Sequence, residues 1–261
     1  MNSAQSDLAE TGYARSQTPS KRDHVRQVFE NTAHYLANRG VDIRFRRDTV
    51  AAFASTVPWR TLLDVGCGDG SISLPHLCSG TRLTLMDLSA AMIRHATSRV
   101  PSSLSGNVTL CNDDFLTANF NGTHFDLIVS VGVLAHVDSP DAFIAKFRSL
   151  LCPNGHLIVE FTDCCHFVGR LGRFWGGFKE LLAPARYQTN KLSYASVAPL
   201  FEKHGLHLVS CFRYSRIPIP AVDRVLGEER HYRHASRFFG TARRNTHAAL
   251  GNEYICLLTV K

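Results

Sequence analysis

A strand that runs straight into a glycine-rich turn is the feature that most constrains the fold of this chain. It is the segment LLDVGCGDGS at residues 62–71, in which an apolar run precedes three glycines spaced two apart. Such a turn lets a ligand approach backbone N–H groups, and a helix is predicted to follow it and to add its positive end. The spacing is G-x-G-x-G and not the G-x-G-x-x-G typical of dinucleotide sites, so an NAD-dependent oxidoreductase is not favoured.

Strand and helix patterns alternate after residue 60, which indicates an α/β fold with a doubly wound, mostly parallel sheet and helices on both faces. Ser89 is placed to cap one helix, and Ser139 to cap another that has Pro140 at its first position. A further helix is predicted at 193–204. The predicted strands are 61–65, 82–87, 108–112, 125–131, 156–162, 206–212 and 254–260.

Length and composition fit one core domain with insertions. The chain has 261 residues, 44% of them hydrophobic and 20% charged, which is ordinary for a globular protein with one sizeable core. Residues 1–22 are predicted to be a disordered tail, and 23–59 to form N-terminal helices over the ligand site, one ending at Gly40 and one at 49–57. The core is predicted at 60–163, 193–215 and 252–261, and substrate-cap insertions at 164–192 and 216–251.

The cysteines and the hydropathy pattern bear on location. None of the eight cysteines forms a C-x-x-C pair and most lie in apolar runs, so reduced thiols in the cytoplasm are expected, and not disulfides or zinc. A metal site is not expected at residues 163–166 either, because neighbouring residues of an extended chain point to opposite faces. No apolar run approaches the roughly 18 residues that cross a bilayer, so no membrane insertion is expected.

Basic residues are concentrated outside the predicted core. The net charge is +7, yet residues 60–162 carry six basic and nine acidic groups, which leaves +10 on the flanking segments. This distribution fits an anionic partner. Runs of Lys and Arg interleaved with aromatic residues, which are typical of nucleic-acid surfaces, are absent from the sequence, so a nucleic-acid partner is not favoured.

Asp87 ends the second predicted strand, 23 residues after Asp64, where a carboxylate can accept hydrogen bonds from both hydroxyls of a ribose. Five motifs then form one ordered pattern. They are LDVGCGDG at 63–70, MDLSAAMIRHA at 86–96, NDDF at 112–115, FDLIVSVGVLAHV at 125–137 and LLCPNGHLIV at 150–159. The chain thereby resembles the class I S-adenosylmethionine-dependent methyltransferases, in particular the small-molecule branch that includes the ubiquinone and menaquinone biosynthesis enzymes.

The resemblance implies a Rossmann-like sheet of seven strands with an antiparallel last strand. It implies S-adenosyl-L-methionine (SAM) as cofactor and S-adenosyl-L-homocysteine (SAH) as product. Asp87 would bind the ribose, and either Asp113 or Asp114 the adenine amine. The implied cofactor-binding residues are Asp64, Gly66, Cys67, Gly68, Asp87, Leu88, Met92, Asp113, Asp114, Phe115, Ser130 and Val131.

Two positions depart from the family pattern. Asn154 stands where a glycine is usual, which matters little because Asn also tolerates a left-handed backbone. Ala135 replaces a frequent Glu in the fourth motif, which puts in doubt any mechanism that needs an acid there.

Histidines are the candidate general bases, because a pKa near 6.5 suits proton removal at neutral pH. His136 is nominated because it follows the fourth strand, at the edge of the sheet where ligands bind. His166 is nominated because it lies at the start of the first insertion. His231 and His234 are further candidates, which would share one face of a helix.

The predicted function is transfer of a methyl group from SAM to an oxygen or nitrogen of a small molecule by in-line displacement. The acceptor would be a natural-product or metabolic intermediate that could be anionic. One alternative is a nucleic-acid methyltransferase, but no N/D-P-P-Y/F tetrapeptide follows the fourth strand. The other is a non-catalytic relative that binds a partner protein, against which the intact cofactor motifs weigh. The acceptor's identity and the oligomeric state stay open.

Overall fold

One sheet of seven strands organises the protein. The structure is a computed structural model that describes residues 26, 30, 40–168, 170, 189–215 and 227–260. Its strands are β1 (Thr61–Val65), β2 (Arg82–Met86), β3 (Val108–Cys111), β4 (Phe125–Ser130), β5 (Leu151–Thr162), β6 (Leu206–Tyr214), β7 (Gly240–Thr241), β8 (Arg244–Asn245) and β9 (Glu253–Val260). The order in the large sheet is β3-β2-β1-β4-β5-β9-β6, and β7 and β8 form a separate short hairpin.

The strand directions confirm the predicted architecture. Strands β1 to β5 pair in parallel, whereas β9 lies antiparallel between β5 and β6. The chain moves outward from β1 to β3 and then returns to the other side of β1 at β4. This reversal leaves a crevice beyond the carboxyl ends of β1 and β4, which is where open α/β sheets bind ligands.

Helices cover both faces of the sheet. They are α1 (Gly40–Ala54), α2 (Ala90–Arg99), α3 (Pro140–Leu150), α4 (Tyr194–Lys203) and α5 (Glu228–Phe239). The two predicted caps are confirmed, because Ser89 Oγ accepts a hydrogen bond from the Met92 backbone N–H and Ser139 Oγ accepts one from that of Ala142, each at 3.2 Å. Each cap satisfies one of the backbone donors that a helix start leaves without a partner.

The core has two layers, one on each face of the sheet. Successive residues of β1 divide between them, since Leu62 packs on the α1 and α5 side and Leu63 on the α3 and α4 side. This is the period-two alternation of a strand that is buried on both faces. Both side chains have no exposed surface, so replacing either by Ala would cost about 2 to 5 kcal/mol of folding free energy.

Three details of the sequence prediction are wrong. The helix predicted at 49–57 has other bounds, because α1 runs from Gly40 to Ala54. The buried residues of α1 include Val41, Phe45, Thr49 and Phe53, which recur every four positions. Charged residues lie between them in the sequence and obscure this pattern. The glycine-rich turn leads to a short 3-10 helix (Leu74–His76) and not to an α-helix, because Pro75 and Gly80 leave too little chain before β2.

The third error concerns β5, which begins at Leu151 and not at 156. The CPNG turn lies inside the strand as an irregularity, since Phe125 pairs with Leu151 and Leu127 with His156. Asn154 has φ 61°, which is the left-handed backbone conformation that Asn tolerates. Gly155 is needed there because an added Cβ would lie 2.9 Å from the Cys152 carbonyl oxygen.

The predicted tail at 1–22 lies outside the described residues, as do most of the first predicted helix and residues 171–188 of the first insertion. The described part of the second insertion contains α5 and the β7–β8 hairpin. Helix α5 packs on α1, and its buried Ala235 and Phe239 belong to the same hydrophobic layer as Phe45. This part of the insertion therefore contributes to the core.

Candidate active site

A pocket opens at the carboxyl ends of β1, β2 and β4, in the crevice that the strand order creates. Ten of the predicted site residues line it: Gly66, Gly68, Asp87, Leu88, Met92, Asp113, Asp114, Phe115, Val131 and His136. Five further residues line it that the sequence reasoning did not select: Val65, Met86, Gly132, Val133 and Phe143. Of these, Val133 lies within the fourth motif, so the sequence pattern could have indicated it. Phe143 comes from α3, which carries no motif.

Asp87 joins the two turns at the centre of the pocket. Its Oδ2 accepts a hydrogen bond from the Gly68 N–H and its Oδ1 accepts one from the Ser89 N–H, each at 2.9 Å. Burial raises the pKa of Asp87, and the two backbone hydrogen bonds oppose that rise. Because two backbone donors hold the carboxylate, its orientation is fixed by the turns themselves.

The glycine turn requires its glycines. Gly66, Gly68 and Gly70 all have positive φ, between 55° and 76°. At Gly66 an added Cβ would lie 2.3 Å from Cγ2 of Val133, which lines the same pocket. The N–H groups of Gly66 and Cys67 donate to the Met86 carbonyl oxygen, at 2.8 and 3.0 Å, so the turn folds tightly over the end of β2.

The loop after β3 forms another wall of the pocket. Asp113 Oδ1 accepts a hydrogen bond from the Asp114 N–H at 2.7 Å, and Asp114 Oδ1 accepts one from the Leu116 N–H at 2.9 Å. Both carboxylates line the pocket, so the two alternatives for the adenine contact remain. Asn112 donates through Nδ2 to the Asp87 and Leu88 carbonyl oxygens, which ties this loop to the end of β2.

Lys146 on α3 supports that loop from behind. Its Nζ donates to the carbonyl oxygens of Leu116 and Ala118, at 2.9 and 2.7 Å. The ammonium also lies over the rings of Phe115 and Phe120, 5.3 and 5.5 Å from their centroids, within the range of a cation–π contact. Burial lowers the pKa of Lys146, and the nearby Asp114 and Asp113 oppose that change.

A second cavity continues the pocket on the other side of the glycine turn. It shares Gly66, Gly68 and Val131 with the first pocket and adds Asp64, Cys67 and Arg46. Asp64 is 1% exposed, and among the described residues its Oδ2 has no hydrogen-bond partner. Burial raises the pKa of Asp64 to about 7; the Ser73 side chain opposes that rise, and Asp87 and Asp69 add to it.

Arg46 reaches the second cavity from α1. Its Nε donates to Glu160 Oε1 at 2.9 Å, and the Tyr214 hydroxyl donates to the same oxygen at 3.1 Å. Burial opposes its charge, but Glu160 together with Tyr214 and Asp42 outweighs burial, so the pKa of Arg46 is raised well above its usual value. The guanidinium lies against Gly132, where an added Cβ would come within 3.2 Å of Nη1.

His136 ends a single 3-10 turn (Leu134–His136) that follows β4. Its backbone N–H donates to the Val133 carbonyl oxygen at 2.7 Å. Asn190 holds the turn from outside, because its backbone N–H donates to Ala135 O at 2.7 Å and its Nδ2 donates to the Leu134 and Val137 carbonyl oxygens. No motif indicates Asn190, which lies 54 residues further along the chain than His136.

The remaining predicted residues lie away from the main pocket. The ring of His166 is 3.0 Å from the Ala249 carbonyl oxygen, and it does not line the pocket that His136 lines. Ser130 is fully buried at the end of β4, and Cys67 lines the second cavity only. His231 and His234 both lie on α5, where His231 is buried and His234 is exposed.

Comparisons with known proteins agree with this geometry. A family profile described as a methyltransferase domain matches residues 63–157. The ubiquinone/menaquinone biosynthesis C-methyltransferase UbiE of Shewanella pealeana is 26% identical over 181 residues, 65% of this chain and 72% of that protein. The ubiquinone biosynthesis O-methyltransferase of Xanthomonas campestris pv. campestris is 33% identical over 116 residues, 44% of this chain and 48% of that protein.

A solved structure has the same fold. It is magnesium protoporphyrin IX methyltransferase (ChlM) from Synechocystis PCC 6803 with bound SAH, with a TM-score of 0.63 and 18% identity, covering 92% of this chain and all of that chain. Fold, pocket and sequence matches together define a class I SAM-dependent methyltransferase. Within that class, the same matches support the small-molecule branch that the motifs led us to expect, with SAM as the cofactor.

In the part of the chain that the structure describes, no group of three His, Cys, Asp or Glu side chains is arranged to hold a metal ion. Among the described helices, none combines the length and the apolar character needed to cross a bilayer.

Proposed function

We propose that the chain transfers a methyl group from SAM to an oxygen or nitrogen atom of a small molecule by in-line displacement. The observation that carries this proposal is the pocket itself. It brings the ribose acid Asp87, the Asp113–Phe115 loop, the glycine turn and His136 together around one crevice, although they come from four separate parts of the chain. A scaffold that only bound a partner protein would have no physical need for this combination.

The methionine moiety of the cofactor fits the second cavity by charge. Its ammonium would meet the Asp64 carboxylate, which is buried and, among the described residues, has an Oδ2 atom without a hydrogen-bond partner. Its carboxylate would meet the Arg46 guanidinium, which lines the same cavity. Opposite charges placed in one cavity suit a zwitterion, because each ionic group of the ligand then replaces the water that the protein group loses.

The adenosine moiety fits the main pocket. Asp87 would accept hydrogen bonds from the ribose hydroxyls, as a carboxylate at this strand end does in related folds. Leu88 and Met92 would contact the faces of the adenine, and Asp113 or Asp114 would accept from its exocyclic amine. Phe115 would place a backbone donor beside the ring. All of these residues line the pocket.

When bound, SAM supplies an electrophilic methyl group on a sulfonium. The residues of this chain align the acceptor atom with that carbon and exclude water, and such positioning is worth about 7 to 11 kcal/mol in favourable intramolecular models. His136, beside Val133 and Phe143 in the pocket lining, would accept the proton that a hydroxyl or protonated amine loses. Asn190 would keep the His136 turn in place through its three hydrogen bonds.

The acceptor atom is inferred from the general base, from the relatives and from the charge distribution. A general base beside the pocket favours an oxygen or nitrogen acceptor, and the O-methyltransferase relative from Xanthomonas supports oxygen. The UbiE relative is named as a C-methyltransferase, so carbon is the competing outcome. The charge of +10 outside residues 60–162 favours an anionic acceptor.

Calorimetric titration with SAM, SAH and NAD tests the cofactor assignment. We expect the wild type to bind SAM and SAH in the micromolar range and not NAD, and Asp87→Ala to lose that binding. Glu202→Gln on the exposed surface of α4 removes a carboxylate outside the pocket and is the matched control. A wild type that binds neither sulfur ligand would refute the proposal.

A second experiment tests the acceptor atom. Purified protein is incubated with methyl-labelled SAM and a panel of phenols, carboxylic acids and amines, and the products are identified by mass spectrometry. Transfer to oxygen or nitrogen that falls in His136→Ala and is kept in Glu202→Gln supports the mechanism. Products labelled only on carbon would overturn the choice of acceptor atom and leave the cofactor assignment standing.

A further inference from the structure

Two cysteines face each other in the sheet, away from the residues that line the cofactor pocket. Cys211 on β6 and Cys256 on β9 are register partners in an antiparallel pair, and Sγ of Cys256 donates to Sγ of Cys211 at 3.4 Å. Directly opposite residues of antiparallel strands have Cα atoms about 4.5 to 5.5 Å apart. That spacing lies within the range of about 4.4 to 6.8 Å that disulfides use.

The two thiols differ in access to solvent. Cys211 is partly exposed, whereas Cys256 has no exposed surface and lines a cleft between α4 and the strands. The cleft has a volume of about 100 Å³, against roughly 10 to 15 Å³ that a cavity needs to hold one water. Because Cys211 is itself partly exposed, a small oxidant such as hydrogen peroxide can approach it without any unfolding of the sheet.

We propose that Cys211 and Cys256 are a modification site, at which hydrogen peroxide forms a reversible disulfide between β6 and β9. The proposal is independent of the methyl-transfer proposal. It extends the expectation of reduced thiols, because it states which two of the eight cysteines combine when an oxidant is present.

The chemistry proceeds in two balanced steps. The thiolate of Cys211 attacks one peroxide oxygen and breaks the O–O bond, which gives a sulfenic acid and releases hydroxide. The sulfur of Cys256 then attacks the Cys211 sulfur, the S–S bond forms, and the sulfenic oxygen leaves as water after taking a proton. Two thiols are oxidised to one disulfide and one peroxide is reduced to two waters. A dithiol reductant reverses the change by thiol–disulfide exchange.

The order of the steps follows from the environments of the two thiols. The hydrogen bond to Cys211 and then burial raise the pKa of Cys256 well above its usual value, so Cys256 remains a thiol. Cys211 is the more exposed sulfur and meets the oxidant first. The resulting disulfide closes a loop that contains α5 and the β7–β8 hairpin, and it restricts the unfolded chain accordingly.

Peptide mapping of the full chain tests the proposal. Trypsin cleaves after Lys203, Arg213 and Arg244, so Cys211 falls in the peptide 204–213 and Cys256 in the peptide 245–261. Protein is treated with hydrogen peroxide, alkylated without reduction, digested and analysed by mass spectrometry. We expect one linked species with the summed mass of these peptides less two hydrogen atoms, absent after dithiothreitol. We also expect the melting temperature of the oxidised protein to rise by several degrees.

Cys211→Ser and Cys256→Ser are matched variants that keep a small polar side chain. Each should abolish both the linked species and the rise in melting temperature, while Cys78→Ser at an exposed site should change neither. If a variant fails to fold, peptide mapping of the wild type still shows whether Cys211 and Cys256 become linked. Cys211 recovered only as alkylated thiol or sulfinic acid, or linked to a different cysteine, would overturn the proposal.

Discussion

The two ends of the candidate cofactor pocket are built in different ways. The adenosine end consists of Asp87, Leu88, Met92, Asp113, Asp114, Phe115 and Lys146, and its carboxylates accept hydrogen bonds from nearby backbone N–H groups. The charged end consists of Arg46 and Asp64, which line the second cavity, and of Glu160 and Tyr214. They come from α1, β1, β5 and β6, and the Glu160 carboxylate accepts hydrogen bonds from the side chains of Arg46 and Tyr214. Local backbone thus fixes the first end, whereas buried opposite charges fix the second.

This difference has a physical consequence for each end. The backbone donors of the adenosine end do not titrate, and only the carboxylates that accept from them can change charge. At the charged end Glu160 is 2% exposed and Asp64 is 1% exposed, and a buried ion is costly whenever its partner is missing. We therefore expect substitutions at the charged end to affect both folding and cofactor binding, and those at the adenosine end to affect mainly binding.

The largest effect is expected from Arg46→Met. The change leaves the buried Glu160 carboxylate without its cation, and breaking a buried pair in this way costs about 3 to 5 kcal/mol of stability. Removing the guanidinium should also abolish detectable binding of SAM if Arg46 meets the methionine carboxylate. Urea unfolding of the apoprotein measures the first effect, and calorimetric titration with SAH measures the second.

The double variant Arg46→Met/Glu160→Gln separates the two effects. It removes both charges and keeps an acceptor for the Tyr214 hydroxyl, so most of the lost stability should return. Binding should stay lost, because the guanidinium is still absent. Recovery of SAH binding in the double variant would show that Arg46 serves only the fold and that the charged end is misassigned.

Gly66 lies between the two ends, and we expect Gly66→Ala to have the next largest effect. The residue has φ 76°, and the new Cβ would lie 2.3 Å from Cγ2 of Val133. Strain of this kind costs about 1 to 3 kcal/mol, and relief by movement of Val133 would narrow the pocket. Thermal unfolding and SAH titration should both show the loss. Gly80→Ala has no heavy atom within 4 Å of the added Cβ and should change neither quantity.

The pH dependence of binding tests the charged end without changing its shape. Burial raises the pKa of Asp64 to about 7 in the free protein, and an ammonium bound beside it would lower that pKa. SAM affinity should therefore be full above pH 7 and fall by up to about tenfold per pH unit below it. Binding near pH 6.5 should release a proton, which calorimetry in buffers of different ionisation enthalpy detects.

Asp64→Asn is the matched variant for that experiment. It should weaken binding at pH 8 and remove the proton release. Asp64→Asn weakens binding at pH 8 but should stabilise the apoprotein at that pH. A carboxyl whose pKa is raised in the folded state stabilises the fold below its unfolded pKa, which is near 4. That contribution is lost as the pH rises to about 7. The apoprotein should thus be more stable as Asn at pH 8. A pH profile unchanged by the variant would place the titrating group elsewhere.

The same contrast between the two ends explains what the sequence could predict. Short motifs whose residue spacing predicts the local geometry contain the strands, the Ser89 and Ser139 caps and the pocket residues from Gly66 to Phe115. Arg46 and Asn190 lie far from the motifs they serve, and they reach the site only because α1 and the chain before α4 fold back onto the sheet edge. Contacts of that kind depend on tertiary packing, which local periodicity does not report.

The smallest effect is expected from Lys146→Met at the adenosine end. The substitution removes two hydrogen bonds to the carbonyl oxygens of Leu116 and Ala118 and the contact with the Phe115 ring. Each hydrogen bond contributes about 0.5 to 1.5 kcal/mol, so we expect a several-fold rise in the Kd for SAH with little change in kcat. Lys146→Arg keeps the positive charge and should restore part of the affinity.

Adenine recognition gives a second readout for Lys146 that a general loss of stability would not change. If the loop it supports reads the exocyclic amine, the preference for SAH over S-inosylhomocysteine, in which a carbonyl replaces that amine, should shrink in Lys146→Met. Lys203→Met, which removes an exposed lysine paired with Asp141 on the surface, should keep the preference. Equal weakening of both ligands would mean that Lys146 only holds the loop closed, and that the selectivity of the adenosine end lies in Asp113 and Asp114 themselves.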